Sequence, residues 1–375
     1  MTQPSTASEA SVLIVADFAE NVEKVERHVG PVGMVAEPTL LCVDAPDDVA
    51  GVTVESVSPV GVRPLDLLAL SVVAVLEALR GEYELVGSYS LLPYGVIALV
   101  AGRSAGVPTH LGVIGSDIDV HATARYGAAI RWLMSRFTVV SVTGRTHRDR
   151  LAELGVTPDT VETLANPIRP AAYPVADDTE RSIDLLWVGR FGPEKNPVRF
   201  VEIVDRLTET IAGDLRAVML GTGVRQDTVE AEIRRRGLAD IVERPGWVSE
   251  PATYYRRART YVLTSEREGL PLTLIEAMAS GVPAVVPDVG NVRDPATDGD
   301  NALVVADNAV EPMTAAVRRL LTDEALRSRL AANATDVRED YSYEAAAADW
   351  QGILDAAGVR TSASESTAEP PTVSP

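Results

Sequence analysis

At 375 residues, 46% of them apolar, the chain exceeds one ordinary hydrophobic core and can fill two. Lys plus Arg number 34 against 54 Asp plus Glu, and the formal net charge of -20 excludes general affinity for nucleic acid or anionic lipid surfaces. The single Cys42 excludes an intrachain disulfide and a Cys-rich metal site, and it fits the reducing cytoplasm expected for this chain.

Residues 1–10 read as a polar leader without the basic and apolar regions of a signal peptide. Ser11 to Ala16 (SVLIVA) then opens as a buried parallel strand, and further strand patterns follow at Leu40–Val43, Val52–Val57, Glu84–Gly87, Thr109–Ile114 and Phe137–Val142. Helical patterns stand between several of them, at Pro64–Arg80, Pro93–Ala105, Ala124–Arg136 and Thr146–Leu154. The alternation predicts a doubly wound parallel sheet over residues 11–165. Leu65–Leu79 contains Asp66 and Glu77, and Leu85–Ala101 is interrupted by Pro93 and Gly95, so neither is a clean membrane span and both read as buried helices.

Residues 166–180 begin with a proline-rich run, NPIRPAAYPVADD, without apolar periodicity, and predict an interdomain linker. Strand and helix patterns restart at Ile183–Val188, with a helix from Pro197, strand Leu215–Leu220, a helix from Gln226, and strands Ile241–Glu243 and Tyr261–Thr264. Helix Leu272–Ser280 and strand Ala284–Val286 follow, then helical patterns near Glu311–Leu321 and Glu324–Ala332. A second α/β domain is therefore expected over 181–340, a C-terminal helix over 341–360, and a Ser/Thr/Pro/Glu-rich disordered tail over 361–375. Two doubly wound domains in tandem predict ligands at the carboxyl ends of their strands, across a cleft.

Lysine is nearly absent: Lys24 and Lys195 are the only two, and every other basic residue is Arg. A lysine-poor acidic surface suits a salt-loving host, and high-GC codon usage would give the same bias. Against that background Lys195 stands out. It lies in WVGRFGPEKNP (Trp187–Pro197), where a strand ends at a glycine and Arg190 and Lys195 precede a helix start, a placement of cations that suits a diphosphate. The alternative is that both are solvated loop charges.

Further on, SEREGLPLTLIEAMASGVPAVVP (Ser265–Pro287) puts Glu268 in a loop and Glu276 eight residues later within a helix. Pro271 has no N–H, so Leu272 and Thr273 are the candidate backbone donors to an anion at that helix start. Carboxylates at such a site accept hydrogen bonds from sugar hydroxyls, although a lone Glu also occurs as a solvated or dipole-pairing side chain.

These segments resemble the donor-binding half of the retaining glycosyltransferases of family four, which have the GT-B fold of two doubly wound Rossmann-like domains facing a central cleft. The matching features are Glu268-x7-Glu276, VGRFGPEKNP, the GTG of Gly221–Gly223, the GWVSE of Gly246–Glu250 and the PDVGN of Pro287–Asn291, spread over Ile183–Val305. The resemblance implies catalytic roles for Arg190, Lys195 and Glu268, with the two cations neutralising the diphosphate and Glu268 meeting the donor sugar. It implies nucleotide-sugar contacts from Gly189, Gly221, Val248, Gly269, Leu270, Leu272, Thr273 and Glu276, with Glu276 on the ribose and the backbone near Val248 at the base.

The implied activity is retaining transfer of a hexose from a UDP- or GDP-linked donor, without metal or other cofactor. The acceptor would be a glycan, a lipid-linked glycan or a small molecule, and a lipid-linked one would bring peripheral contact with the cytoplasmic membrane face. GSDI (Gly115–Ile118) resembles a first-domain segment that in this family often follows a basic residue or histidine; here Ile114 precedes it, and Asp117 is carried as a further site candidate. Where a glycine-rich acceptor loop would follow the opening strand, Asp17 to Gly33 stands instead, and His110 is expected in the core or at its rim.

Gly221-x-Gly223 lacks a third glycine at Gln226, so the dinucleotide fingerprint is incomplete, which argues against a nicotinamide enzyme. Asp117-Ile118-Asp119 and Asp298-Gly299-Asp300 are chance pairs in an acidic chain, and His28, His121 and His147 show no metal-ligand spacing. The competing readings are a nucleotide-sugar epimerase, a sugar phosphorylase, and a catalytically silent scaffold subunit that keeps the donor pocket.

Overall fold

The computed structural model describes residues 10–18, 21–47, 49–115, 117–175, 180–211 and 213–361. All but Ala10 of the expected leader and all but Thr361 of the expected tail lie outside these. The chain divides into two compact units, one formed by residues 1–167 with 343–375 and the other by 168–342.

In the first unit the elements run β1 (Ser11–Val15), α1 (Val22–Val29), β2 (Glu37–Cys42), β3 (Thr53–Ser56), α2 (Arg63–Leu79), β4 (Leu85–Ser88) and α3 (Val96–Ala105). Then come β5 (Thr109–Val113), α4 (Gly127–Met134), β6 (Val139–Val142), α5 (Arg145–Glu153) and β7 (Thr160–Thr163). The strands form one parallel sheet in the order β3-β2-β1-β4-β5-β6-β7. Helices cover both faces, so β4, β5 and β6 are buried along their whole length and read as short apolar runs without alternation.

Two elements escape the hydrophobic pattern for physical reasons. Helix α1 buries only Val25 and Val29 and starts because the Asn21 side chain accepts from Lys24 N at 3.0 Å. Strand β7 is a half-exposed edge strand, TVET, with no apolar run to mark it.

The second unit runs β8 (Ile183–Val188), α6 (Pro197–Thr208), β9 (Ala217–Leu220), α7 (Gln226–Arg235), β10 (Val242–Gly246), α8 (Ala252–Tyr255) and β11 (Ala258–Val262). It continues with α9 (Leu272–Ala279), β12 (Ala284–Pro287), β13 (Ala302–Val305), α10 (Val310–Thr322), α11 (Glu324–Ala334) and α12 (Val337–Asp340). Its parallel sheet has the order β10-β9-β8-β11-β12-β13. Trp187, Phe191, Phe200 and Met219 fill the core on one side of it, each side chain of that size contributing about 1.5–3 kcal/mol of burial.

The C-terminal helix, Tyr343–Ala356, is not a separate element as expected but part of the first unit. Trp350, Ile353 and Leu354 are buried in the same core as Val12, Ile14 and Leu40. The boundary accordingly falls at Pro167, and the expected linker begins as the second unit's own chain, with a short 3-10 turn at Pro170–Ala172.

The two apolar stretches that read as buried helices come out differently. Leu85–Ala101 is β4, a kinked turn at Leu91–Gly95 in which Leu92 is extended, and the start of α3. Leu65–Leu79 is helical, but one face of it is exposed, with Leu68 61% accessible. No helix among the described residues is long and apolar enough to cross a membrane.

Candidate active site

In the second sheet the strand order reverses between β8 and β11, and in an open parallel sheet ligands bind outside the carboxyl ends of the strands at such a switch point. The loop after β8 carries Gly189, Arg190 and Lys195; the loop after β11 carries Ser265, Glu268 and Gly269 and enters α9 at Leu272. Four backbone hydrogen bonds lace the loops after β8 and β9 and the end of β10 together: Gly189 N to Leu220 O (3.0 Å), Phe191 N to Thr222 O (2.8 Å), Gly221 N to Gly246 O (2.7 Å) and Arg225 N to Phe191 O (2.9 Å).

That lacing demands glycine at 221. Its φ is +126°, and a Cβ there would stand 2.0 Å from Gly189 O. A second close approach fixes Gly290, with φ +53°, whose Cβ would stand 1.8 Å from Glu268 O.

Lys195 Nζ lies 2.6 Å from Glu268 Oε1, and Ser265 Oγ donates to the same oxygen at 2.5 Å. The lysine is brought there by a short 3-10 turn, Pro193–Lys195, ended by Asn196 at φ 44°, whose successor Pro197 begins α6. Thr264 Oγ1 anchors the turn by donating toward the carbonyls of Lys195 (2.9 Å) and Asn196 (3.0 Å), while it accepts from Trp187 Nε1 at 2.9 Å. Glu266 N donates to Glu194 O at 2.8 Å, and Asn308 Nδ2 to the carbonyls of Thr264 (3.2 Å) and Ser265 (3.1 Å).

Beside this pair a pocket of about 530 Å3 opens, lined by Gly189 and Arg190, Gly221 to Gly223, Trp247 and Val248, and Thr273 and Glu276. Thr273 and Glu276 are three residues apart on α9 and share its pocket face. Glu276 is 8% exposed and accepts from Tyr255 Oη at 2.9 Å, while Tyr261 Oη and Thr273 Oγ1 are 2.7 Å apart. Burial, and then the negative charge of Glu276, push the Tyr255 hydroxyl well above the ordinary tyrosine range, so it stays a neutral donor.

Arg190 is largely exposed and sits 2.6 Å from Glu194 Oε1; that carboxyl is held below its usual range by its own backbone N–H and by the Arg190 side chain.

Of the residues singled out from sequence, Gly189, Arg190, Gly221, Val248, Thr273 and Glu276 line the one pocket. Lys195 and Glu268 form the adjoining ion pair. Gly269, whose carbonyl accepts from Asn291 N at 3.1 Å, the buried Leu270, and Leu272 at the first position of α9 shape the loop between. Asp117 belongs to the first unit, in the turn Asp117–His121, of which only Asp117 and Ile118 are buried; its carboxylate accepts from Leu91 N at 3.2 Å and burial raises its pKa. His110 is 1% exposed in the core, with Nε2 2.9 Å from Ser141 Oγ.

Sequence reading missed Tyr255, Ser265, Trp247 and Asn308. Ser265 sits three residues before Glu268 in the same loop and was visible in the SERE run; Tyr255 is 21 residues from Glu276 and reaches it only through the fold. Among the described residues no group of three or more His, Cys, Asp or Glu side chains is placed to hold a metal ion.

Residues 175–337 match the family Glycosyl transferases group 1, and residues 19–167 match the Glycosyl transferase 4-like domain. The chain is similar to the alpha-D-kanosaminyltransferase of Streptomyces kanamyceticus, at 33% identity over 45% of this chain and 44% of the relative. It is also similar to the D-inositol 3-phosphate glycosyltransferase of Frankia alni, at 31% identity over 45% and 44%.

In fold it is similar to Anabaena HepE crystallised with UDP, with a TM-score of 0.76 at 15% identity over 92% of this chain and 99% of that one. The two family matches together span most of the sequence, and the chain belongs to the group 1 glycosyl transferases of the GT-B fold. The matches span less than half the length of the first curated relatives.

Proposed function

We propose that this chain is a hexosyltransferase that binds a UDP- or GDP-linked sugar in the pocket of the second unit and transfers the sugar with retention of configuration. The observation that carries the reading is the Lys195–Glu268 pair at the switch point of the second sheet, beside a pocket whose walls include Arg190 and Glu276. A cavity of about 530 Å3 is of the size that holds a nucleotide-sized ligand.

In this reading Glu276 accepts from the ribose hydroxyls, held in place by the Tyr255 donor, and the backbone at Val248 meets the base. Arg190, Lys195 and the first N–H groups of α9 at Leu272 and Thr273 face the diphosphate. Breaking the bond from the sugar C1 to the diphosphate oxygen builds negative charge on that oxygen and positive charge on the ring. Fixed cations aimed at the oxygen lower that barrier because they need no reorganisation as the charge develops. Glu268, with Gly269 and Leu270 beside it, contacts the sugar. The acceptor oxygen bonds C1 from the face the diphosphate leaves, and its proton passes to the departing phosphate oxygen.

The first unit is the acceptor-side domain in this account. UDP-sugars are the first donors to test, because HepE was crystallised with UDP and with UDP-glucose. Titration of UDP- and GDP-sugars, followed by the anomeric configuration of the product by NMR, tests the reading; an inverted product removes the retaining mechanism.

A further inference from the structure

Helix α2 exposes what a surface helix ordinarily hides. Leu65, Leu68, Val72, Leu76 and Leu79 are 49%, 61%, 52%, 54% and 54% accessible and recur at helical spacing along one face. Val60 and Val62, also exposed, extend the stripe at its N-terminal end. The only charged residues between Pro64 and Leu79 are Asp66 and Glu77, and both are buried. Asp66 accepts from Val60 N at 2.6 Å, and Glu77 pairs with Arg80 at the end of the helix. The face opposite the stripe is already occupied: Leu70, Ala74 and Ala78 pack with Leu13, Val86 and Ala98. A continuous apolar patch of this kind on an otherwise acidic chain marks an interaction surface.

Three occupants can be weighed. The terminal stretches 1–9 and 362–375 carry Met1 and Val373 as their only large apolar side chains, too little to cover the stripe. An anionic bilayer is repelled by a chain of net charge -20. A second copy brings an equally uncharged apolar face, so the contact buries no like charges at its centre.

The spacing favours that copy. Steps of three, four, four and three residues separate the five side chains, so the stripe reads the same from either end and is self-complementary about Val72. Turned end to end, Arg63 of one copy falls near Glu82 of the other, while each Arg80 is already neutralised by its own Glu77.

We infer that α2 is a homodimer interface in which two copies pack their Leu65–Leu79 faces antiparallel across a two-fold axis at Val72. A 17-residue helix gives a face about 25 Å long and about 10 Å across. Even widened by Val60 and Val62, this stays well below the roughly 800 Å2 per partner of a standard interface, so the dimer is a weak, transient one.

Sedimentation velocity of the full chain at concentrations from about 1 to about 100 μM, and higher where a weak dimer requires it, tests the inference together with two variants. Wild type shifts from monomer to dimer, Leu68→Glu/Leu76→Glu stays monomeric with an unchanged circular dichroism spectrum, and Val72→Cys gives a disulfide-linked dimer on mild oxidation. Should the double variant fail to fold, the Val72→Cys cross-link decides alone. A wild-type monomer throughout, a dimer indifferent to both variants, or a monomer that floats with phosphatidylcholine vesicles overturns it.

Discussion

The ammonium of Lys195 and the carboxylate of Glu268, 73 residues apart in sequence, meet at 2.6 Å, so one of the two lysines of this chain is held against the loop that leads into α9. The pair is part-buried, with side-chain exposures of 24% and 7%, and is therefore less screened by water than the fully solvated ion pairs that contribute little. Lys195→Ala is expected to lower kcat/KM by about 10²–10³, the cost of removing one preorganised donor from a developing anion. Lys195→Arg should recover only part of it, because a planar fork cannot replace a compact ammonium. With Glu268→Gln added, steady-state kinetics should show a combined loss smaller than the product of the single losses. Independent, multiplying losses would mean that the contact has no part in catalysis.

Glu276 and Tyr255 give a prediction about binding. A hydrogen bond to a charged group is worth about 1.5–3 kcal/mol, so Glu276→Ala should weaken nucleotide-sugar binding by roughly 10- to 100-fold in calorimetric titration. Tyr255→Phe leaves the Glu276 carboxylate in place without its 2.9 Å donor and should weaken binding several-fold while changing kcat little.

Gly290→Ala tests the close approach behind Glu268. A Cβ at this position meets Glu268 O at 1.8 Å, so the Glu268 loop must move. The variant should keep its circular dichroism spectrum, lose a few degrees in Tm as local strain of about 1–3 kcal/mol requires, and lose most of its transfer activity. Full activity would show that the position of Glu268 is not critical.

Much of the second unit was legible in the sequence because its chemistry is local. The strand Ile183–Val188, the start of α6 at Pro197 and the start of α9 at Leu272 follow from apolar runs and from proline at helix starts, and Glu268 and Glu276 are bracketed by them. What was not legible depends on contacts distant along the chain. Trp350 packs edge-on to His110 across 240 residues and so carries the last helix into the first unit. The exposed stripe of α2 shares its apolar composition with a buried helix, and composition alone does not say which face finds a neighbour.

The first unit supplies a pH prediction. Burial lowers the pKa of His110 from 6.5 to about 3, so the unfolded chain binds the proton first. Stability from this group is complete above about pH 6.5 and is lost as pH falls toward 3. At pH 5 the loss is about 2 kcal/mol. The buried Asp117, whose carboxyl is raised by burial, shifts stability in the opposite sense over the acid range. Urea denaturation between pH 7 and 5 should show a smaller fall for His110→Asn than for wild type, and an equal fall would assign the acid sensitivity elsewhere.

The measurement that bears most directly on the central claim is calorimetric titration of UDP- and GDP-sugars, in EDTA and at low and high salt, into wild type, Lys195→Ala and Glu276→Ala, with release of nucleoside diphosphate followed alongside. The account predicts saturable binding by wild type that survives EDTA, is lost or greatly weakened in both variants, and gives acceptor-dependent release. Absence of binding, or binding indifferent to both substitutions, would contradict it; binding with no release for any acceptor would leave a donor-binding scaffold in place of a transferase.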